Sequence, residues 1–341
     1  MMVDIDQLAD QTLKLLDDSK RVKYRIAIMI VGPPGSGKST LAEKLCSTLN
    51  NRFNQYLDCD SDAEVVFTQG DNDRLDLVAD LDEISANLYS EMAQNDGISR
   101  DLVERIDFKP VRKSYDDGRV EVIGRGGQPN AFTIQRQIPT IRKHDIDIAR
   151  IIPMDGFHLS RKCLDCFKDP EMAHQRRGAP QTFDSNNFLQ LCKTLARTCI
   201  VKPPTCESEN CFEFISRTFQ SMPTIEIPGF DHKLKDPTPN QISIDPYTRV
   251  LIFEGLYLLY DAENWQNVHK VLLDTGAVLI WNVNIEEGVI RERVAKRHLN
   301  AGLVKTLEDG IQKFETNDLL NARLIQSNLI NDGNIVSIRN D

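Results

Sequence analysis

Five short apolar runs punctuate the chain: YRIAIMIV (24–31), IDIARIIPM (146–154), TRVLIFEG (248–255), AVLIWNVNI (277–285) and NIVSI (334–338). Each reads as a buried parallel strand, the first above all because it is apolar and rich in β-branched residues from Ile26 to Val31. Helical patterns lie between them. Directly after the first run, STLAEKLCSTLN sets Leu41, Leu45 and Leu49 at helical spacing. The alternation predicts a doubly wound α/β fold: a mainly parallel five-stranded sheet with helices on both faces. Ligands of such sheets gather at the carboxyl ends of the strands. Three informative stretches fall there: residues 32–39, DGFHLS at 155–160, and Glu254-Gly255.

The pattern breaks once, between the first two strands. A crossover needs a dozen or so residues, yet 32–145 intervene, and a structureless loop of that length is improbable. Residues 58–145 therefore read as an inserted α+β subdomain, with 1–57 and 146–341 as the core. In RLDLVADLDEISANLYSEM (74–92), Leu75, Val78, Leu81, Leu88 and Met92 fall on one helical face. PVRKSYDDGRVEVIGRGG then predicts a hairpin around Asp117-Gly118. CIVKPPTCESENC (199–211) reads as a surface loop from its proline and polar content.

The stretch GPPGSGKS (32–39) gives the sheet a chemistry. Gly32, Gly37, Lys38 and Ser39 fit G-x-x-x-x-G-K-[ST], with Gly35 as a further glycine inside the loop. Glycines let successive backbone N–H groups turn inward on phosphate oxygens. Pro33, Pro34, Ser36 and Thr40 complete the predicted nucleotide-binding set. Lys38 would reach the β- and γ-phosphates, and the Ser39 hydroxyl would ligate Mg²⁺. The helix opening near Gly37 adds its positive end.

Composition narrows the function. The chain has 341 residues and net charge −10, against the basic balance usual in a nucleic-acid binder. No apolar run approaches a membrane span, and the acidic, amphipathic N-terminus resembles neither a secretory nor a mitochondrial leader. The expectation is a cytoplasmic protein acting on a small molecule, with reduced cysteines. Cys163 and Cys166 form a C-x-x-C that Cys206 and Cys211 could complete as a zinc site, although the second spacing is unusual. Charge is uneven. Residues 58–147 hold 20 Asp and Glu against 11 Lys and Arg, whereas 291–305 hold five basic side chains against Glu292.

A bound nucleotide can serve a switch, a motor or a phosphoryl transfer. The guanine-reading N/T-K-x-D of a GTPase is missing from the sequence. The run VLIF ends in Glu254-Gly255, where a motor ATPase usually carries Asp; one carboxylate at that strand tip can orient Mg²⁺ or its waters. Asp155 stands at the next tip. It can accept the proton of an attacking hydroxyl or merely cap a helix; Gly156 beside it reads as room for a substrate.

Five motifs carry a family resemblance: MDGFHL (154–159), RRGAPQTFD (176–184), PGFDHKLKDP (228–237), EGLYLL (254–259) and RHLNAG (297–302). Together they resemble the P-loop kinases grouped with uridine kinase, phosphoribulokinase and bacterial-type pantothenate kinase, and most of all the fungal ATP-dependent kinases of unassigned substrate. The likeness covers 22–50 and 146–341 and stops at the insert. It implies ATP and Mg²⁺ as cosubstrate and metal, Asp155 as catalytic base, Glu254 as the Mg²⁺-side carboxylate, and Arg297 as a lid arginine neutralising the transferring phosphoryl group. Lys38 completes that catalytic set. Independently, the basic helical segment near 286–304 reads as a mobile lid. His158, Arg176, Arg177 and Lys235 are acceptor-site candidates; the arginine pair could grip an acidic substrate or serve only solubility. Asn317 and Asn321 match a cleft-lining helix of pantothenate kinase. The competing reading is a nucleotide-binding regulatory or scaffolding protein with little transfer activity.

Overall fold

A computed structural model of the chain describes residues 4–59, 63–70, 75–136, 142–208, 210–231 and 233–340. Arg74, Glu209 and His232, which fall within patterns named above, lie outside them.

All five predicted strands form one parallel sheet, in the order Ile335–Arg339, Val278–Asn284, Ile26–Val31, Val250–Gly255, Ala149–Pro153. The central strand Ile26–Val31 is buried along its whole length. Its period of two divides it between two cores. Ala27, Met29 and Val31 face a cluster with Phe188, Leu191 and Leu195 of the helix Ser185–Cys199. Ile26, Ile28 and Ile30 face Leu41, Leu45 and Leu49 of the helix Lys38–Cys59, with Leu8 and Leu16 of the N-terminal helix Ile5–Ser19 behind them. Helices thus cover both faces. The register matters for function: Ile30 lies beside Glu254, and Glu254 beside Pro153. The phosphate loop, Glu254 and the segment entering Asp155 therefore share one edge of the sheet.

A second sheet is antiparallel, in the order Val111–Ser114, Val120–Ile123, Phe132–Gln135, Thr224–Asp231, Asp236–Ile244. The hairpin turns at Asp117-Gly118 as the sequence predicts; Gly118 has φ 83° and its N–H donates to the Tyr115 carbonyl (2.9 Å). Two of the five strands come from 224–244, a pairing the sequence conceals. Pro228, Pro237 and Pro239 argue against strands there. The fold accommodates Pro228 at a register shift between Ile227 and Gly229, and the other two on an edge strand.

One expectation fails. The helical face drawn through 75–92 is helical only over Ala86–Gln94, which Ser85 caps by accepting from the Leu88 N–H (3.3 Å). Upstream, Ile84 N–H donates to the Arg112 carbonyl (2.8 Å), and Arg112 N–H donates to the Asp82 carbonyl (2.9 Å). Pairing with the hairpin edge has displaced the helix. Leu77 and Val78 are still buried, but from irregular chain. Among the described residues no helix is long and apolar enough to cross a membrane.

Candidate active site

The loop between the first strand and its helix has the backbone a phosphate cradle needs. Gly35 and Gly37 hold φ of 78° and 85°, where a side chain is strained. A Cβ at Gly32 would meet Ser36 Oγ at 2.7 Å and the Val283 carbonyl at 2.8 Å. Ser36 Oγ is buried without a protein partner, a donor left for an incoming anion. Pro33 is half-buried and Pro34 buried, while Ser39 and Thr40 open the helix at the surface.

Lys38 Nζ stands 3.7 Å from Glu254 Oε1, and the Ser39 hydroxyl donates to the same oxygen (3.1 Å). Glu254 is 6 % exposed. Burial pushes its carboxyl above the ordinary glutamate range, Lys38 opposes the shift, and the neighbouring Asp155 adds to it. A hydroxyl and a carboxylate beside a phosphate cradle are the hard oxygen donors Mg²⁺ takes, so Ser39 and Glu254 fit the ion.

The raised Glu254 carboxyl has a testable consequence. Its folded-state pKa exceeds the unfolded one, so its contribution to stability declines as pH rises from the unfolded value through the folded value. At neutral pH the ionised group is a liability to the nucleotide-free fold. Glu254→Gln should therefore raise the melting temperature at pH 7 while removing Mg²⁺-dependent nucleotide binding, and the gain in melting temperature should shrink on acidification. A lower melting temperature at pH 7, read by calorimetry across the pH series, would contradict this.

Asp155 lies in a single 3₁₀ turn, Met154–Phe157, directly after the strand Ala149–Pro153. Its side chain caps no backbone N–H and remains 48 % exposed. The cap alternative drops out, and the carboxylate faces solvent next to Glu254. The idea that Gly156 makes room for a substrate is corrected: a Cβ there would collide with the Pro228 carbonyl, so this glycine permits packing against the second sheet.

The proposed acceptor residues divide into groups. The His158 ring packs at a tilt against Phe183 and Phe230, with centroids 4.0 Å and 5.0 Å away, and its Nδ1 lies 3.0 Å from the Asp155 carbonyl oxygen. Arg176 donates to Asn317 Oδ1 (2.8 Å), Asn321 Oδ1 (2.9 Å) and the Thr316 carbonyl (3.3 Å). The Asn317 amide returns a bond to the Arg177 carbonyl (3.0 Å). Arg177 donates to Asp236 Oδ1 (2.8 Å) and to the carbonyls of Leu159 (2.9 Å) and Lys235. Both guanidinium groups are thus engaged by the protein, Arg176 tying loop to helix and Arg177 holding the 233–235 turn through Lys235 and Asp236. Lys235 sits in that turn with φ 57°.

The helix Glu287–Asn300 lies over the phosphate loop, where a Cβ on Gly35 would meet Val294 Cγ2 at 2.7 Å. Its basic residues differ in what they do. Arg291 pairs with Glu315 (2.9 Å), and Arg293 donates to the Asn340 carbonyl (3.1 Å). Lys296 lies 3.7 Å from Glu292. Arg297 is exposed and makes no ion pair among the described residues. Its neighbour His298 is buried, 3.5 Å from Asp318, within a π-helical turn Phe314–Asp318.

Sequence reasoning missed Asn340, whose amide donates to the Ser36 carbonyl (2.7 Å) from the far end of the chain. It also missed Asn130, considered below. No spacing rule links either to the loop. Among the described residues no group of three or more His, Cys, Asp or Glu could hold a metal; Cys163 is a buried thiol pushed up to about 12 by burial.

Parallel sheet, phosphate loop and paired carboxylates define a P-loop kinase fold, as the motifs imply. No family model matches the chain, but relatives do. It is 51 % identical over 343 residues to ATP-dependent kinase YFH7 of Zygosaccharomyces rouxii, covering 100 % of this chain and 91 % of that one. It is 47 % identical over 358 residues to ATP-dependent kinase YFH7 of Saccharomyces cerevisiae, covering 100 % of both. The crystal structure of YFH7 from Saccharomyces cerevisiae superposes with a TM-score of 0.89 at 49 % identity, over 99 % of this chain and 100 % of that one. The chain belongs to the ATP-dependent kinase YFH7 family.

Proposed function

We propose that this protein transfers the γ-phosphoryl group of ATP to a hydroxyl of a small-molecule acceptor, in the cytoplasm. The observation that carries the reading is the solvent-facing Asp155 carboxylate beside the buried Glu254 and the Lys38 and Ser39 side chains that contact it. A nucleotide binder without transfer has no use for a half-exposed carboxylate at that strand tip, where His158 Nδ1 lies 3.8 Å from Asp155 Oδ1. Asp155 takes the hydroxyl proton as the acceptor oxygen bonds to phosphorus; the bond from phosphorus to the bridging oxygen breaks, and ADP leaves. Lys38 holds the phosphates. Mg²⁺, on Ser39 and Glu254, would neutralise phosphate charge. His158 and Lys235 flank the acceptor, while Arg176, Arg177, Asn317 and Asn321 shape its wall through the bonds they make to one another and to the chain.

Arg297 supports the same reading because, among the described residues, it is exposed on the lid helix and forms no ion pair, unlike Arg291. Charge on the transferring group peaks in the transition state, so Arg297 acts there more than in the ground state. Arg297→Ala should lower the turnover number far more than it raises the KM for ATP, and Arg297→Lys should restore only part, since a point charge lacks the guanidinium fork. Hydrogen exchange across 286–304 should slow with Mg²⁺ and a non-hydrolysable ATP analogue. Wild-type turnover in Arg297→Ala would remove the residue from the catalytic set.

A further inference from the structure

The turn that carries Asp155 is held from behind by a residue of the 58–145 segment. Asn130 is fully buried and ends the short 3₁₀ turn Gln128–Asn130, which Gly127 enters at φ 71°. Its side-chain amide donates to two carbonyls, those of Gly156 (3.0 Å) and His158 (2.8 Å). These flank Phe157, the last residue of the Asp155 turn. The carbonyl of Phe157 accepts from the Asp184 N–H (2.7 Å), and Leu159 N–H donates to the Thr182 carbonyl (2.9 Å). Asn130 is in turn fixed by Asn187, whose amide donates to its backbone carbonyl (2.8 Å).

One NH₂ group bridging two carbonyls that stand two residues apart sets the curvature of the chain between them. The direction in which Asp155 leaves the turn follows from that curvature. Asn130 Oδ1 is buried without a partner, which is unfavourable. An apolar side chain would avoid that penalty. What only the amide supplies is the pair of bonds to the turn.

We propose that Asn130 is a positioning residue for Asp155, so that a residue of the 58–145 segment aims the base from behind its turn. The inference rests on the reading of Asp155 as base. A misplacement of about 1 Å in a reacting group can cost on the order of 10²-fold in rate, and Asn130→Ala should show a loss of that order.

The test uses γ-labelled ATP with an ultrafiltered metabolite extract as the acceptor source, and reads labelled ester formed per minute below the melting temperature of every variant. Asn130→Ala should be slowed about 10²-fold with unchanged calorimetric affinity for a non-hydrolysable ATP analogue. Asn130→Ser, which keeps one donor, should fall between Asn130→Ala and wild type, and carries the test if the alanine variant does not fold. The deciding sample is Asn130→Ala in an Asp155→Asn background. If Asn130 acts through the base, the double variant is no slower than Asp155→Asn alone. Losses that multiply would reduce Asn130 to a structural role, and a wild-type rate in Asn130→Ala or Asn130→Ser would overturn the proposal. A wild-type rate in Asp155→Asn would instead remove the base itself, and this inference with it.

Discussion

Lys38→Ala is expected to leave a folded protein that neither holds ATP well nor turns it over. The side chain of Lys38 is 15 % exposed and reaches into the space between the loop and Glu254. No other lysine lies in the loop, so no neighbour can replace the charge. Removal of one preorganised donor from developing negative charge costs roughly 10²–10³-fold in rate, and in the proposed role the same residue also binds the ground-state phosphates. A second effect adds to the first. Lys38, with a smaller contribution from Ser39, opposes the burial-driven rise of the Glu254 carboxyl, so its loss favours protonation of Glu254 and should weaken the proposed Mg²⁺ site as well. Calorimetric titration with a non-hydrolysable ATP analogue checks this. Unchanged affinity would mean that the loop is not the nucleotide cradle.

Asp155→Asn should behave differently, sparing ATP affinity and removing transfer. A positioned general base contributes about 10²–10⁴-fold, and the asparagine keeps the shape while losing the proton acceptor. Asp155 makes no cap, so the substitution should not loosen the Met154–Phe157 turn. It also removes a negative charge that pushes the Glu254 carboxyl up, so the nucleotide side of the site should be no weaker. Parallel losses of ATP affinity and rate would indicate damage to the whole edge of the sheet rather than loss of a base.

The sheet was legible because its strands Ile26–Val31 and Val250–Gly255 are buried throughout and write near-continuous apolar runs, with shorter runs for the flanking strands, and because the phosphate loop needs glycine at fixed spacing. Glu254 and Asp155 were legible as carboxylates at strand tips. What stayed hidden depends on contacts distant in sequence. The strands at 224–244 carry prolines that only a bulge and an edge can accept, and Leu77 and Val78 reach the core without a helix because Arg112 of the hairpin edge captures Asp82 and Ile84. The arginine pair read either as a cationic grip on an acidic substrate or as surface solubility; its engagement by Asn317, Asn321, Asp236 and backbone carbonyls is a tertiary fact. Asn130 and Asn340 are single amides whose roles appear only once the chain is folded around the turn and the loop they hold.

The central claim is transfer to a small molecule, and one measurement addresses it directly. The protein is incubated with γ-labelled ATP, Mg²⁺ and an ultrafiltered metabolite extract, and labelled products are separated by chromatography beside an Asp155→Asn control. The expected result is a labelled ester that forms only when extract is present, matched by ADP, and that is reduced about 10²–10⁴-fold in the control. Tight ATP binding with label appearing in nothing but inorganic phosphate, at equal rates in both proteins, would contradict the claim and leave a nucleotide-binding protein without a kinase reaction.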